Sequence, residues 1–244
     1  MHNDAYTECM QNIRVSDKQK NCRYIAYVAN VLQGKEGIQS DIAFQGDRAI
    51  LQVQASGNMA SLLKYSIAEK VAEVICIGYK YDYLKQNIKI AGLNREDIEI
   101  LFASIIAADF PEERKYLVSY LEEMQEHTID GFYNFRLHAL QKKWKGVINC
   151  LPSSFSKKQL ADFMEYLIGG RKGKVFLKGQ KVYDSRCRRL RRADLIEEGG
   201  RELNTLREIV LSCAGKVECL TELSSKQESF LKSYYAGRVG FFSS

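Results

Sequence analysis

The stretch Asn94-Arg95-Glu96-Asp97-Ile98-Glu99-Ile100-Leu101-Phe102-Ala103-Ser104-Ile105-Ile106 carries the clearest periodicity in the chain. Ile98, Leu101, Phe102, Ile105 and Ile106 follow the i, i+3, i+4, i+7, i+8 spacing of one helix face. Asn94 stands before the run as an N-cap, and Asp97 favours the positive end of the helix. Outward from this segment, residues 57 to about 169 read as helix throughout. The spacing predicts helices over Leu62 to Ile77 and over Glu112 to Met124. Another stripe starts after Asp130 and joins Tyr133, Leu137, Leu140, Trp144, Val147, Ile148 and Leu151. A last one opens with the capping-box pair Ser156 and Gln159 and continues through Leu160, Phe163, Met164 and Leu167. The two prolines, Pro111 and Pro152, fall between these patterns. Apolar stripes of this kind are core.

The flanks change period. In residues 1 to about 56, Lys18 to Leu32 reads as a helix with Cys22, Ile25, Val28, Ala29 and Leu32 on one face. Ile38 to Phe44 and Ala49 to Val53 alternate as half-buried strands, with Gln45-Gly46-Asp47 as a hairpin turn between them. From residue 170 the chain is mixed again. Gly169-Gly170 ends the last central helix, and Lys174 to Leu177 with Lys181 to Tyr183 forms a hairpin around Lys178-Gly179-Gln180. A helix marked by Leu203, Leu206, Ile209, Val210 and Cys213 stops before Gly215. A strand over Lys216 to Leu220, a helix over Ser225 to Tyr235 and a strand over Arg238 to Phe242 follow, an order that implies a parallel pair. The expectation is an α+β fold: a central helical region flanked by small N-terminal and C-terminal strand-containing units. Its parts are 1–56, 57–169 and 170–244, with one compact domain overall as the alternative reading.

Composition bounds the class. The chain has 244 residues, 45% hydrophobic and 27% charged, which excludes collagen, low-complexity and wholly disordered proteins. Seven cysteines, Cys9, Cys22, Cys76, Cys150, Cys187, Cys213 and Cys219, are dispersed, and none has Cys-x-x-Cys spacing. That spacing disfavours a zinc ribbon, and the odd count fits free thiols better than a disulfide framework. The start, Met1 to Glu8, lacks the basic and apolar regions of a signal peptide. The longest apolar run, Ile100 to Ala108, is too short to span a bilayer. Location in the cytoplasm is the expectation.

At Ile129-Asp130-Gly131-Phe132-Tyr133-Asn134-Phe135-Arg136-Leu137 the chain resembles the YtxC-like family of uncharacterised sporulation-associated proteins of Firmicutes. Members of that family carry a Gly-Phe-x-x-Phe-Arg-Leu stretch at a helix start. The resemblance runs over about residues 60 to 244, including the Phe163-Met164-Glu165-Tyr166-Leu167 helix and the closing Leu206 to Phe242 run. It implies a role around endospore formation and carries no reaction, ligand or catalytic residue. The chain departs from the family in its basic stretch after the central helices. In the motif, Asp130 is expected to cap a helix, Gly131 to allow close packing, and Phe132, Phe135 and Leu137 to fill a core. Arg136, if buried among them, needs a carboxylate or carbonyl partner, with Glu122, Glu123 and Glu126 as candidates.

No motif for catalysis stands out. His2, His127 and His138 have no recognised metal or triad spacing, there is no Gly-x-Ser-x-Gly elbow, and Gly169 to Lys174 lacks the P-loop pattern. No enzyme, cofactor or metal is expected. The charge is the anomaly. Residues 171 to 192 hold ten cations and the single acid Asp184, a net +9, so the +6 of the whole chain leaves −3 for the remainder. Arg186, Arg188, Arg189, Arg191 and Arg192 crowd into seven positions, with Lys172 and Lys174 nearby. Arginine forks match phosphate or carboxylate oxygens, so one reading is a site for nucleic acid, anionic lipid or an acidic protein. The other is a solvated loop paired with Glu197, Glu198 and Glu202. The favoured function is a non-enzymatic, partner-binding, sporulation-associated protein. The alternative is a nucleic-acid-binding module using residues 171–192, with Phe176 and Tyr183 as the only nearby aromatic residues.

Overall fold

The computed structural model describes residues 10–124 and 126–241, so expectations for His2, Cys9 and Phe242 lie outside the described residues. Strand β1 (Met10–Lys18) leads through a short 3-10 turn to helix α1 (Cys22–Ala29). The hairpin of β2 (Gln39–Gln45) and β3 (Arg48–Ser56) follows, turning on Gly46-Asp47, where Gly46 takes a φ of 59°. A positive φ at that corner is the conformation glycine adopts without a Cβ penalty. Helix α2 (Gly57–Glu73) continues into a buried π-turn, Val74–Tyr79, and then α3 (Lys80–Asn87).

Helix α4 (Arg95–Leu121) is one helix of 27 residues and corrects the sequence reading, which placed a break at Pro111. Proline has no N–H to give the carbonyl four residues back, here that of Ala107. The Cys213 thiol donates to that carbonyl at 3.4 Å, which leaves it partnered without the helical bond. The start of α4 is as expected: the Asn94 side chain accepts from the Asp97 N–H at 2.8 Å.

Strand β4 (Glu126–Thr128), helix α5 (Ile129–Arg136) and helix α6 (His138–Asn149) come next. The single stripe expected from Tyr133 to Leu151 is therefore two helices broken at Leu137. Helix α7 (Lys157–Ile168) opens with the Ser156–Gln159 capping box in full. The hairpin β5 (Lys174–Lys178) and β6 (Lys181–Tyr183) then leads to α8 (Gly200–Leu211), β7 (Lys216–Cys219), α9 (Ser225–Tyr234) and β8 (Val239–Phe241). With 56% helix and 20% strand in two small sheets, the fold is α+β, its helical centre flanked by strand-bearing regions.

The chain forms two compact units. One takes the described residues up to Cys76 and Glu112–Lys142; the other takes Ile77–Pro111 and the chain from Lys143. The central helices are thus divided between them.

In the first unit the sheet order is β2-β3-β1-β4, antiparallel except for the β1–β4 pair. Ile13 pairs with Val53 and Val15 with Leu51; all four are buried on the face against which α1 and α2 pack. Arg14, Gln52 and Gln54 alternate with them and are exposed. Cys22, expected on the buried face of α1, is exposed. The YtxC-like motif falls in this unit and its burial differs from expectation. Phe132 and Leu137 are buried, but Phe135 is 78% exposed and Arg136 is exposed, so Arg136 requires no buried partner. Asp130 does not cap α5: it lies in the first turn and takes the Arg48 guanidinium at 2.7 Å. Gly131 is tightly set, since a Cβ there would meet the Thr128 methyl at 3.0 Å.

In the second unit the order is β6-β5-β7-β8, with β5, β7 and β8 parallel and β6 antiparallel at the edge. Val175, Leu177, Val182, Val217 and Cys219 are buried on one face of this sheet. Its core also encloses charge. Lys80, fully buried, donates to Asp109 at 2.9 Å, and Arg207 binds Glu99 at 2.5 Å.

Candidate nucleic-acid interface

Strand register decides what the other face of the second sheet displays. Side chains alternate across a strand, and residues paired in register stand side by side on one face. Phe176 pairs with Tyr183 and with Glu218, Lys178 with Lys181, Lys174 with Lys216, and Glu218 with Gly240. An isolated bridge joins Tyr183 to Arg189 and extends the same face by one position. Two adjacent aromatic rings are therefore set among Lys174, Lys178, Lys181, Lys216 and Arg189. The five cations are exposed and the two rings are half-buried. Parallel sheets are ordinarily covered on both faces and read as continuous apolar runs. This sheet departs from that pattern, with lysines alternating against a valine- and leucine-lined interior.

The charges on this face are unevenly committed. Lys216 pairs with Glu218 at 2.7 Å, and the Lys174 ammonium lies 5.1 Å from the centre of the Phe176 ring. Lys178, Lys181 and Arg189 make no ion pair among the described residues. Gly240 lies close beneath Glu218: a Cβ there would lie 2.1 Å from the carboxylate, which would have to shift.

The segment expected to act as one basic arm is a folded loop whose residues serve different ends. Asp184 organises it: one carboxylate oxygen accepts the N–H groups of Arg186 and Arg188, and the other binds the Arg188 guanidinium at 2.8 Å. Burial would raise the Asp184 pKa, but these donors outweigh it and hold the carboxyl below its usual range. Cys187 takes a φ of 58° at the tip, and the Leu190 N–H returns to the Val182 carbonyl. Arg192 is half-buried, stacked 4.8 Å over Phe110, with an N–H to the Leu211 carbonyl. Arg188 and Arg192 thus hold the loop in place, while Arg186, Arg191 and Lys172 are exposed away from the strand register. Arg189 and Lys174 belong to the sheet face. Two of the three acids expected to neutralise the loop are committed elsewhere: Glu198 takes Lys85, and Glu202 accepts the Ser224 hydroxyl.

Lys178, Lys181, Lys216 and Arg189 come together only through strand pairing. Alternation within Lys174-Val175-Phe176-Leu177-Lys178 was the signal available in sequence; Lys216, beyond the hairpin, gave none.

The remaining residues considered for chemistry are separated. His138 and Cys150 are exposed, and neither lines the cavities described in the second unit. His127 is buried in β4 of the first unit, and neither ring nitrogen has a hydrogen-bond partner. Among the described residues no group of three His, Cys, Asp or Glu side chains could hold a metal ion. Among those residues, too, no helix is long and apolar enough to cross a membrane.

No protein-family model, curated protein or solved structure matches the chain.

Proposed function

We propose that the chain is a non-enzymatic binding protein, and that its partner is a single-stranded nucleic acid lying across the basic face of the second sheet. The pairing of Phe176 with Tyr183 inside a ring of cations carries this reading. Single-strand binders combine a backbone-tracking positive surface with aromatic rings on which bases stack, at about 1–3 kcal/mol per base. An acidic protein would use the cations but has no need of paired, half-exposed rings. Contacts are to phosphate and base planes rather than base edges, so little sequence preference follows. The resemblance of residues 129–137 to the YtxC-like family supports a further proposal, that the protein acts in the cytoplasm during spore formation.

A salt titration of binding to a fluorescent single-stranded oligonucleotide tests the reading. Four cations outside the Lys216–Glu218 pair give a slope of log K against log salt near −3, at about 0.7 per phosphate contact on single strands. Changing Lys174, Lys178 and Lys181 together to Glu abolishes the binding. Unchanged affinity in that variant, or binding of an acidic peptide in preference to the oligonucleotide, overturns it.

A further inference from the structure

The parallel strands of the second sheet end at a cavity. After β5 the chain turns towards β6 at one edge, and after β7 it leaves for α9 and β8 on the other side, so the loops beyond β5 and β7 diverge. Open α/β sheets commonly bind ligands outside the carboxyl ends of their strands. Here the two loops are tied together: the Gly179 N–H donates to the Thr221 hydroxyl oxygen at 2.8 Å. Beside them opens a cavity of about 760 Å³, within the range of small-molecule sites.

Its lining is chemically one-sided. Lys178, Lys181, Arg189 and Arg201 border it, and none of the four makes an ion pair among the described residues. Several other cations of this unit are paired: Lys80 and Lys143 with Asp109, Lys85 with Glu198, Lys226 with Glu96 and Arg238 with Glu165. Two neutral donors join the four. The Asn204 carbonyl oxygen is occupied by Arg207 at 2.7 Å, which leaves its amide hydrogens for the cavity. Thr221 accepts from Gly179, which leaves its hydroxyl hydrogen. Two acids, Asp194 and Glu208, also border the space, and Glu208 accepts the Ala193 N–H at 2.6 Å. Four cations against two acids still leave a surplus of two positive charges. Unpaired like charges around one cavity repel unless an anion lies among them.

We infer that this cavity is a binding site for a small polyphosphate, of the size and charge of a nucleoside di- or triphosphate. Lysines at the facing ends of β5 and β6, Arg189 on the loop and Arg201 on α8 grip at least two phosphate groups, with Asn204 and Thr221 completing the donor set. The site shares Lys178, Lys181 and Arg189 with the sheet face; it differs in Arg201, Asn204 and Thr221, which lie outside that face, while Lys174 and Lys216 lie outside the cavity.

Isothermal titration of the whole chain with inorganic phosphate, pyrophosphate, ADP and ATP tests the inference. Affinity is expected to rise at least tenfold from phosphate to pyrophosphate, with ADP and ATP at least as tight as pyrophosphate. Arg201→Gln and Thr221→Val each weaken pyrophosphate binding at least fivefold while leaving oligonucleotide affinity unchanged. Lys174→Glu weakens the oligonucleotide and leaves pyrophosphate unchanged. Arg186→Gln, on the exposed loop, changes neither. If pyrophosphate, ADP and ATP all fail to bind at millimolar concentration, or if Arg201→Gln binds pyrophosphate as wild type does, the inference is wrong even when the oligonucleotide binds. Circular dichroism of each variant verifies that loss of binding is not loss of fold.

Discussion

Arg207 on α8 and Glu99 on α4 form an ion pair at 2.5 Å, with side chains 0% and 7% exposed. The Tyr81 hydroxyl donates to the same carboxylate at 2.9 Å, and Arg207 reaches the Asn204 oxygen as well. Burial, with the Glu99 charge beside it, drives the Tyr81 pKa far above its ordinary value, so the phenol remains a donor at any physiological pH. A buried pair of this kind adds little over apolar packing, but losing one partner strands the other.

Glu99→Ala is therefore expected to cost about 3–5 kcal/mol of stability, read as a fall in the urea midpoint. Tyr81→Phe, which removes one donor and leaves the ion pair, costs about 1–2 kcal/mol. Equal losses in the two variants would show that the ion pair itself contributes nothing.

The Pro111 and Cys213 pairing predicts non-additivity. Cys213→Ala leaves the Ala107 carbonyl without its thiol donor and costs about 1 kcal/mol. Pro111→Ala restores an N–H to that carbonyl, so the same cysteine substitution in its background costs much less. A double-mutant cycle on denaturation free energies measures this directly. Strict additivity would mean the thiol and the proline are unrelated.

His127 makes stability pH-dependent. Burial lowers its pKa to about 4, with Lys64 adding to the effect, against an unfolded value of 6.5. The unfolded chain binds the proton first as pH falls. Stability is therefore full above 6.5 and is lost progressively between 6.5 and 4. From pH 7 to pH 5 the histidine accounts for a loss of about 2 kcal/mol, which His127→Leu removes. A variant retaining the same pH slope would place the titration elsewhere.

Much of the fold was legible where the signal was local. The Ser156–Gln159 capping box, the Asn94 cap and the Gly46-Asp47 turn each need only a few adjacent residues, and each is present. Strand β1 was not legible, because only Ile13 and Val15 mark its buried face and their partners lie some forty residues on. Pro111 misled because its compensation comes from Cys213, a hundred residues away. Phe135 misled because, although it follows the buried Phe132 by three residues in α5, it is exposed. In the basic region sequence gave the charge count but not its division. Asp184 and Phe110 claim Arg188 and Arg192, while strand pairing gathers Lys174, Lys178, Lys181 and Lys216 beside the two rings.

That division predicts how single substitutions separate. Arg192→Ala lowers stability by about 1 kcal/mol through loss of its stacking on Phe110. It leaves oligonucleotide affinity within twofold, whereas Arg189→Ala does the reverse. Thermal melts and fluorescence anisotropy on the two variants read both quantities.

The most direct test of the sheet-face account is the affinity of Phe176→Ala, Tyr183→Ala and the double variant for a single-stranded oligonucleotide at fixed salt. The account predicts a loss of about 1–3 kcal/mol for each ring, with the salt slope unchanged because no cation has been removed. An affinity equal to wild type in the double variant would contradict it.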